Sequence, residues 1–450
     1  MTPLQLDDLR ATVEGPVLAP DDHGFAAEVA GVNLAATCSP DVVVGVASES
    51  DVVEAVRFAG AHGLRLHVQA TGHGAHGHLK GGLLISTRRL AEVAVDPVAR
   101  IAAVGAGAPW STVLQLAVRH GLAPISGSST HVGAVGYTLG GGLGPLARSH
   151  GFSSDYVRSF RVVTADGEPR TASAIENPDL FWALRGGKAG FGVVTGMEVA
   201  LLPLTELYAG SLFFAEEHIE TALRGWAEWT TTADDQVSTS VAIVRFPPID
   251  EVPEVFRGKT LLSLRFAFPG DAERGAELAA PLRALAPALL DAVGVLPVAE
   301  LATIHNDPEQ ASPSWTTGAM LTAVPAEFVD ALLARVGPTV SPPVVAVELR
   351  HLGNRTSVDV AEGSAVGGRD GAFILDVVAL TPPGTDPSLL PGFWSGLTAA
   401  IEPWLAPVTT INFAGHPGPA EFARSWSPEQ FARLTEIARR YDPSGLLLRA

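Results

Sequence analysis

Three glycine-dense loops carry the residue types best suited to binding or chemistry. The first is Gln69-Ala70-Thr71-Gly72-His73-Gly74-Ala75-His76-Gly77, directly after an alternating run that reads as a strand. The second, about fifty residues on, holds Ser129, Thr130, His131, Val132, Gly133, Gly136 and Tyr137 and continues into Gly140, Gly141 and Gly142. The third, about fifty further, runs from Arg185 through Lys188 to Gly192 and Val194. Consecutive glycines let main-chain N–H groups converge on an anion without side-chain obstruction, so three such loops together suit a diphosphate, whereas one alone would be a turn. A P-loop is excluded, because no GxxxxGK[ST] occurs. Gly105-Ala106-Gly107 does not complete a GxGxxG fingerprint, which argues against a Rossmann nicotinamide site.

A second set of candidates follows from strand alternation. In the run containing residues 344–352, Val345, Val347, Leu349 and His351 share one face while Glu348 and Arg350 share the other, so either Glu348 with Arg350 or His351 points at a substrate. In the run 372–380, Asp376 interrupts a face otherwise made by Ala372, Ile374, Val378 and Leu380. Desolvation there would raise the carboxyl toward the working range of a general base; the alternative is a solvated or salt-bridged acid. Trp315 and Trp426 are candidate apolar walls, and Trp226 belongs to a helical core face.

These loops and strands need elements to hold them. From residue 41 short strands alternate with helices: Asp51 opens a helix that Gly63 stops, a second helix spans about residues 110–120, and Asp166-Gly167 turns a hairpin. Beyond Pro203 several alternating strands are separated by helical runs, among them 218–229 and 275–293, as in an antiparallel sheet packed under helices. The last 45 residues end in a helix followed by Pro443.

The 450 residues suffice for two or three domains, and 47% hydrophobic against 17% charged residues describes a globular protein. A formal net charge of −18 argues against nucleic acid, which is bound through dense Lys and Arg. The pairs Arg88-Arg89 and Arg439-Arg440 read as solvated ends. One cysteine, Cys38, excludes an intrachain disulfide framework, and no Cys/His cluster suggests a metal. The amino terminus lacks the basic start and apolar run of a signal peptide, and no apolar window reaches membrane-spanning length, so a cytoplasmic protein without a membrane partner is expected.

The first loop with its preceding segment 40–77, residues 130–144, residues 155–195 and the terminal run 433–445 together resemble the FAD-linked oxidases of the vanillyl-alcohol oxidase and p-cresol methylhydroxylase superfamily, nearest the berberine-bridge-enzyme-like branch. The resemblance implies an α+β fold: an FAD-binding domain of the p-cresol methylhydroxylase type, with two small α+β subdomains, and an inserted substrate domain of antiparallel sheet covered by helices. The expected division is 1–203, 204–405 and a returning segment 406–450 that completes the first domain. It implies that His73 bonds covalently to the 8α-methyl of the flavin, that Gln69, Ala70, Thr71 and Gly72 line the pyrophosphate, and that Gly74, Gly77, Ser129, Thr130, Val132, Gly133, Gly136, Tyr137, Gly140, Gly141, Gly142, Gly192, Val194 and Asn412 lie around the cofactor.

Departures from the family pattern matter. Ser129 stands where doubly tethered members carry cysteine, so a single covalent link is expected. Gln69 replaces an arginine, Gly74 a serine, and the segment Arg424-Ser425-Trp426-Ser427-Pro428-Glu429-Gln430 lacks the tyrosine many members use as a base. Catalytic candidates are Asp376, His351, Glu348, Arg350 and Asn412. The implied activity is hydride transfer from a small organic substrate, a secondary metabolite, to flavin, with molecular oxygen as acceptor, by a monomer or homodimer. A redox-neutral cyclase on the same cradle and a non-catalytic flavin-binding module remain the alternatives.

Overall fold

In the computed structural model, residues 3–75, 77–415 and 419–447 are described. Among the described residues, three larger sheets and one two-stranded sheet carry the chain. The four-stranded sheet orders its strands Val17–Leu18, Val42–Gly45, Leu83–Ser86 and Leu66–Gln69, the last three parallel. Val42–Gly45 and Leu83–Ser86 are buried throughout, as parallel strands covered on both faces must be. Helix Glu49–His62 covers them, inserting Val52, Ala55, Val56 and Ala59 into their core.

The helix begins two residues before Asp51, because Ser48 is its cap and accepts a hydrogen bond from the Asp51 N–H. The Asp51 carboxylate turns back to accept from the amides of Glu14 (2.9 Å), Gly15 (3.0 Å) and Ala47 (2.9 Å). Gly63 ends the helix at φ 62°, the left-handed conformation that favours glycine.

An antiparallel sheet of five strands runs in the order Pro169–Ser173, Val157–Val163, Val193–Ala200, Ile101–Gly105 and Val93–Asp96. Helices Trp110–Ala117, Pro178–Leu184 and Pro428–Tyr441 share its core, with Trp110 and Phe160 fully buried. After the last helix the chain returns to the four-stranded sheet. The Asp442 carboxylate accepts from the amides of Leu446 (2.8 Å) and Leu447 (2.7 Å), and the Leu446 carbonyl accepts from Leu66 N–H at 2.8 Å.

The largest sheet has eight strands, in the order Ala288–Asp291, Glu206–Phe214, Thr260–Phe268, Ser238–Arg245, Ala346–His351, Phe373–Leu380 and Ser314–Leu321, with Gly294–Pro297 also on Glu206–Phe214. All its pairs are antiparallel. Leu212, Leu264, Val241, Val347 and Leu375 pack from one face under helices Ile219–Thr230, Ala272–Arg283, Ala326–Val336 and Leu389–Ala400. Trp226 lies in this core and donates to Thr239 Oγ1 at 3.1 Å, as expected.

Two expectations are corrected. The run 275–293 is not one helix: it stops at Arg283, and Ala288–Asp291, after Pro287, is an edge strand. Strand Ser314–Leu321 escapes a reading by alternation, since its threonines and glycine weaken the apolar pattern. Nor is Arg88-Arg89 a solvated pair. Arg89 grips the buried Glu28 through both guanidinium nitrogens at 2.7 Å, and Arg88 Nε donates to Ala70 O at 3.2 Å.

The opposite face of the eight-stranded sheet looks toward the glycine loops. Met320, Leu352 and Ile374 from the sheet side meet Leu143, Ala147, Phe152 and Val366 in a buried cluster that fixes the two against each other. Among the described residues, no helix is long and apolar enough to cross a membrane.

Candidate active site

The first two glycine loops abut. Gly133 N–H donates to Thr71 Oγ1 at 3.4 Å, and a Cβ on Gly133 would lie 3.5 Å from Ala70. Thr130 O accepts from Ser111 N–H (2.7 Å) and Val132 O from Trp110 N–H (3.1 Å), so the helix start at Trp110 holds the second loop. Ser129 O accepts from the Val132 N–H at 3.4 Å and closes a turn. Gly72 has φ 77° and lies so close to Gly31 that a Cβ would come within 2.5 Å of its Cα. Gly77 (φ 65°) leads into the parallel pairing of Thr37–Ser39 with His78–Lys80. Gln69 donates to Val29 O (3.1 Å) and Ala30 O (3.3 Å), which anchors the loop to the neighbouring segment. His76 lies outside the described residues.

His73 stands between these loops. Its Nε2 is buried without a hydrogen-bond partner, and burial lowers its pKa, with the nearby His131 ring adding to the effect and the His131 carbonyl opposing it. The imidazole is therefore neutral near pH 7 and keeps a nitrogen lone pair free.

The third loop supplies a residue that sequence reasoning passed over. Lys188 donates to Gly136 O (3.0 Å) and to Asn412 Oδ1 (2.9 Å), while Asn412 Nδ2 donates to Tyr137 O (2.8 Å). Lys188 has φ 68°, a conformation costing a non-glycine residue about 1 kcal/mol or more and retained where the surroundings demand it. Burial pulls its ammonium down to about 8. The signal is in the sequence: a lone lysine in a run of glycines.

Gly140, Gly141 and Gly142 are bare for a different reason than the one expected. A Cβ on Gly140 would lie 2.0 Å from Asn412 Oδ1; on Gly141, 3.3 Å from Phe152 and Val366; on Gly142, 2.5 Å from the Tyr137 ring. Gly140 makes room for a side chain, while Gly141 (φ 96°) and Gly142 (φ 79°) also take the left-handed backbone that favours glycine. Gly74 and Gly136, by contrast, open onto free space: a Cβ on either would meet nothing within 4 Å.

Across from the loops, the open face of the eight-stranded sheet carries Arg265, Glu348, Arg350 and Asp376. Glu348 receives Arg265 Nη1 (2.9 Å) on one carboxylate oxygen and Arg350 Nη2 (2.9 Å) on the other, with His305 Nε2 at 3.4 Å. Despite its burial Glu348 is held well below the usual carboxylate range by Arg350 and Arg265. Asp376 behaves oppositely: burial first, then the Glu348 and Asp307 carboxylates, push it up to about 7 against the pull of Arg350. Arg350 also lies over the Phe413 ring, 5.2 Å from its centroid, and its charge is felt at Tyr137, whose phenol burial pushes up. Ser128 Oγ donates to Asp307 at 2.7 Å, tying the second loop to the segment beside this face.

The structure thus brings Asp376, Glu348, Arg350, Asn412, Tyr137, Gly136 and Gly140 toward one cleft, and separates others from it. His351 alternates to the helix-covered side, stacked on Phe373 at 5.0 Å with its Nε2 3.1 Å from Arg148, and burial drops it to about 3; at the strand end it still lines a cavity with Arg265, His305 and Arg350. Val194 is buried in the core of the five-stranded sheet, and Gly192 packs on Val162 and Val163, so both serve strand packing. Trp426 is buried in that same core, donating to Gly186 O at 3.2 Å, and Trp315 packs against the helix-covered core; neither is a substrate wall. Sequence reasoning missed Arg265, His305 and Asp307. Arg265 is legible as a lone charge in an apolar strand, the same reasoning that finds Asp376.

The cleft fits FAD. Tyr137, Lys188, Arg350 and Asp376 are enclosed by protein yet each keeps accessible surface, as groups lining an internal cleft do. Gly74 and Gly136 give open approach to backbone, and the N–H groups of Gly72, His73 and Gly74 meet no acceptor among the described residues. Bare amides in sequence suit a diphosphate, and the cation, amide and phenol beyond them suit a polar ring edge.

Comparison with known proteins agrees. Residues 40–173 match the FAD binding domain family. (R)-6-hydroxynicotine oxidase of Paenarthrobacter nicotinovorans is 28% identical over 96% of this chain and 95% of its own length. The solved 6-hydroxy-D-nicotine oxidase of Arthrobacter nicotinovorans superposes with a TM-score of 0.84 at 24% identity, covering 96% of both chains, and Physcomitrella patens BBE-like 1 with 0.83 at 16%, covering 98% and 97%. These two likenesses show the fold. With the domain match and the full-length relative, the chain is an FAD-linked oxidoreductase with the fold of the berberine-bridge-enzyme-like proteins, consistent with the vanillyl-alcohol oxidase and p-cresol methylhydroxylase superfamily.

Proposed function

We propose that this FAD-dependent oxidase takes a small organic substrate, a secondary metabolite bearing an O–H or N–H next to an oxidisable carbon, between the glycine loops and the open sheet face, and that Asp376 accepts the proton. FAD, when bound, supplies the two-electron acceptor for the hydride from that carbon. One observation carries the reading: a carboxyl held near neutrality, facing the cleft from a sheet whose other charges are paired. Above pH about 7 Asp376 is a carboxylate able to take a proton; below it the proton is already there. Arg350 orients the substrate oxygen or nitrogen beside Asp376. Lys188 and Asn412 hold the glycine loop, and the buried apolar cluster between the sheet face and the loops excludes water.

In this reading residues 1–203 with 406–450 hold the cofactor and 204–405 the substrate, which the return of Leu446 and Leu447 to Leu66 supports. His73 tethers FAD through a single bond; its neutral, unpartnered nitrogen supports this. Molecular oxygen is the proposed acceptor, and the lone cysteine supports a reducing cytoplasm. The relative's substrate, 6-hydroxynicotine, heads the panel of amines, phenols and saccharides to be tested. Anaerobic addition should bleach the flavin absorbance and air should restore it with peroxide release; turnover without bleaching would mean redox-neutral chemistry instead. Acid precipitation should leave the yellow colour in the pellet and release it in His73→Ala; colour in the wild-type supernatant would remove the tether.

A further inference from the structure

Two carboxylates stand directly opposite each other on neighbouring strands of the open sheet face. Glu348 on Ala346–His351 pairs in register with Asp376 on Phe373–Leu380, and the flanking positions of that row are Ala242 and Gly318, too small to separate or neutralise them. In the next row Arg265 and Arg350 flank Ser240, whose short side chain lets both guanidinium groups reach back to Glu348. Side chains directly opposite on antiparallel strands have Cβ atoms about 5 Å apart, and like charges there repel. Both arginines bond Glu348, and Asp376 forms no ion pair among the described residues.

Burying an arginine-glutamate-arginine triad is not a route to stability, since apolar residues of similar volume serve a fold as well or better. Its presence beside the cleft calls for another role. We propose that Glu348 is a positioning residue for the reaction: locked as an anion by Arg265 and Arg350, it stands across the strand pair from Asp376 and so makes Asp376 the carboxyl that carries the exchangeable proton. Two carboxylates that cannot both ionise freely divide their roles by which one is given the cations. The charged groups facing Asp376 are Arg350 and Glu348 on the adjacent strand and Asp307 on the segment from His305 to Glu309. Behind Glu348 lie Arg265 and His305; beyond Arg350 lies Tyr137. The inference rests on the reading of Asp376 as proton acceptor.

The test follows the Asp376 proton itself in the FAD-loaded protein, by isotope-edited infrared titration of the aspartic C=O band, assigned by its loss in Asp376→Asn. Glu348→Gln removes the repelling charge and frees two arginines, so the midpoint should fall by about one pH unit or more. Arg265→Met removes a cation and should raise it. A midpoint that stays put or rises in Glu348→Gln overturns the proposal; if that variant does not fold, an unmoved midpoint in Arg265→Met does so. The acid limb of flavin reduction should move with the infrared midpoint. If Asp376→Asn still reduces flavin at the wild-type rate, the proton-acceptor reading fails, whereas the charge division is judged by the infrared shifts alone.

Discussion

Gly140→Ala tests whether the glycine run serves side-chain packing. The added Cβ would lie 2.0 Å from Asn412 Oδ1, 2.7 Å from its Cγ and 3.0 Å from Nδ2, so the amide must leave its place. Asn412 cannot give way cheaply: Lys188 Nζ holds its oxygen at 2.9 Å, and its nitrogen donates to Tyr137 O at 2.8 Å. Displacing it breaks one charge-assisted and one neutral hydrogen bond, worth about 1.5–3 and about 1 kcal/mol. The expected cost is about 3 kcal/mol, read as loss of denaturation midpoint and as roughly hundredfold weaker FAD retention on dilution. Asn412→Ala should cost about as much by itself. The informative variant is the double one: with Asn412 already truncated, the three atoms nearest a Gly140 Cβ are gone and Gly140→Ala should add less than about 0.5 kcal/mol. Costs that add in full would refute the packing argument and return Gly140 to a backbone role.

Other outcomes follow from the same geometry. Asp376→Asn should lower the rate of flavin reduction about 10²–10⁴-fold, and in the wild type that rate should rise with pH through about 7, where Asp376 loses its proton; stopped-flow reduction across pH checks both. Lys188→Met should weaken FAD binding about tenfold or more, measured by flavin fluorescence, and wild-type anchoring should weaken as pH rises through about 8, where the ammonium discharges. Glu28 is held below its usual value chiefly by its bonds to Arg89, so it contributes stability that is complete above the unfolded carboxyl value of about 4.5 and is lost as pH falls through the lower folded one. Glu28→Gln should therefore cost about 1 kcal/mol near pH 7, discounted because Arg89 is 40% exposed, and little at pH 3.

Much of this is legible in the sequence because the signals are local. Glycine density marks the three loops, alternation puts Glu348 and Arg350 on one face and His351 on the other, and the single acid in an apolar strand singles out Asp376. Alternation does not say which face is covered. That needs the helices packed on Val347, Leu349 and Leu375, which turn His351 away from the cleft. Nor does glycine density distinguish a backbone that approaches a ligand from one that yields to a side chain. Gly74 and Gly136 open onto space, but Gly140 and Gly142 yield to Asn412, 272 residues downstream of the first, and to Tyr137. The Lys188–Asn412 bond and the Arg265–Glu348 pair join residues far apart in the chain, so no local pattern announces them.

The most direct measurement is a crystal structure of the FAD-loaded protein. The diphosphate should lie against the amides of residues 72–74, and the isoalloxazine between the Tyr137, Lys188 and Asn412 cluster and the sheet face bearing Asp376 and Arg350. Its 8-methyl edge should lie at His73. A ring bound away from that face, or Asp376 sealed from it by protein, would contradict the assignment.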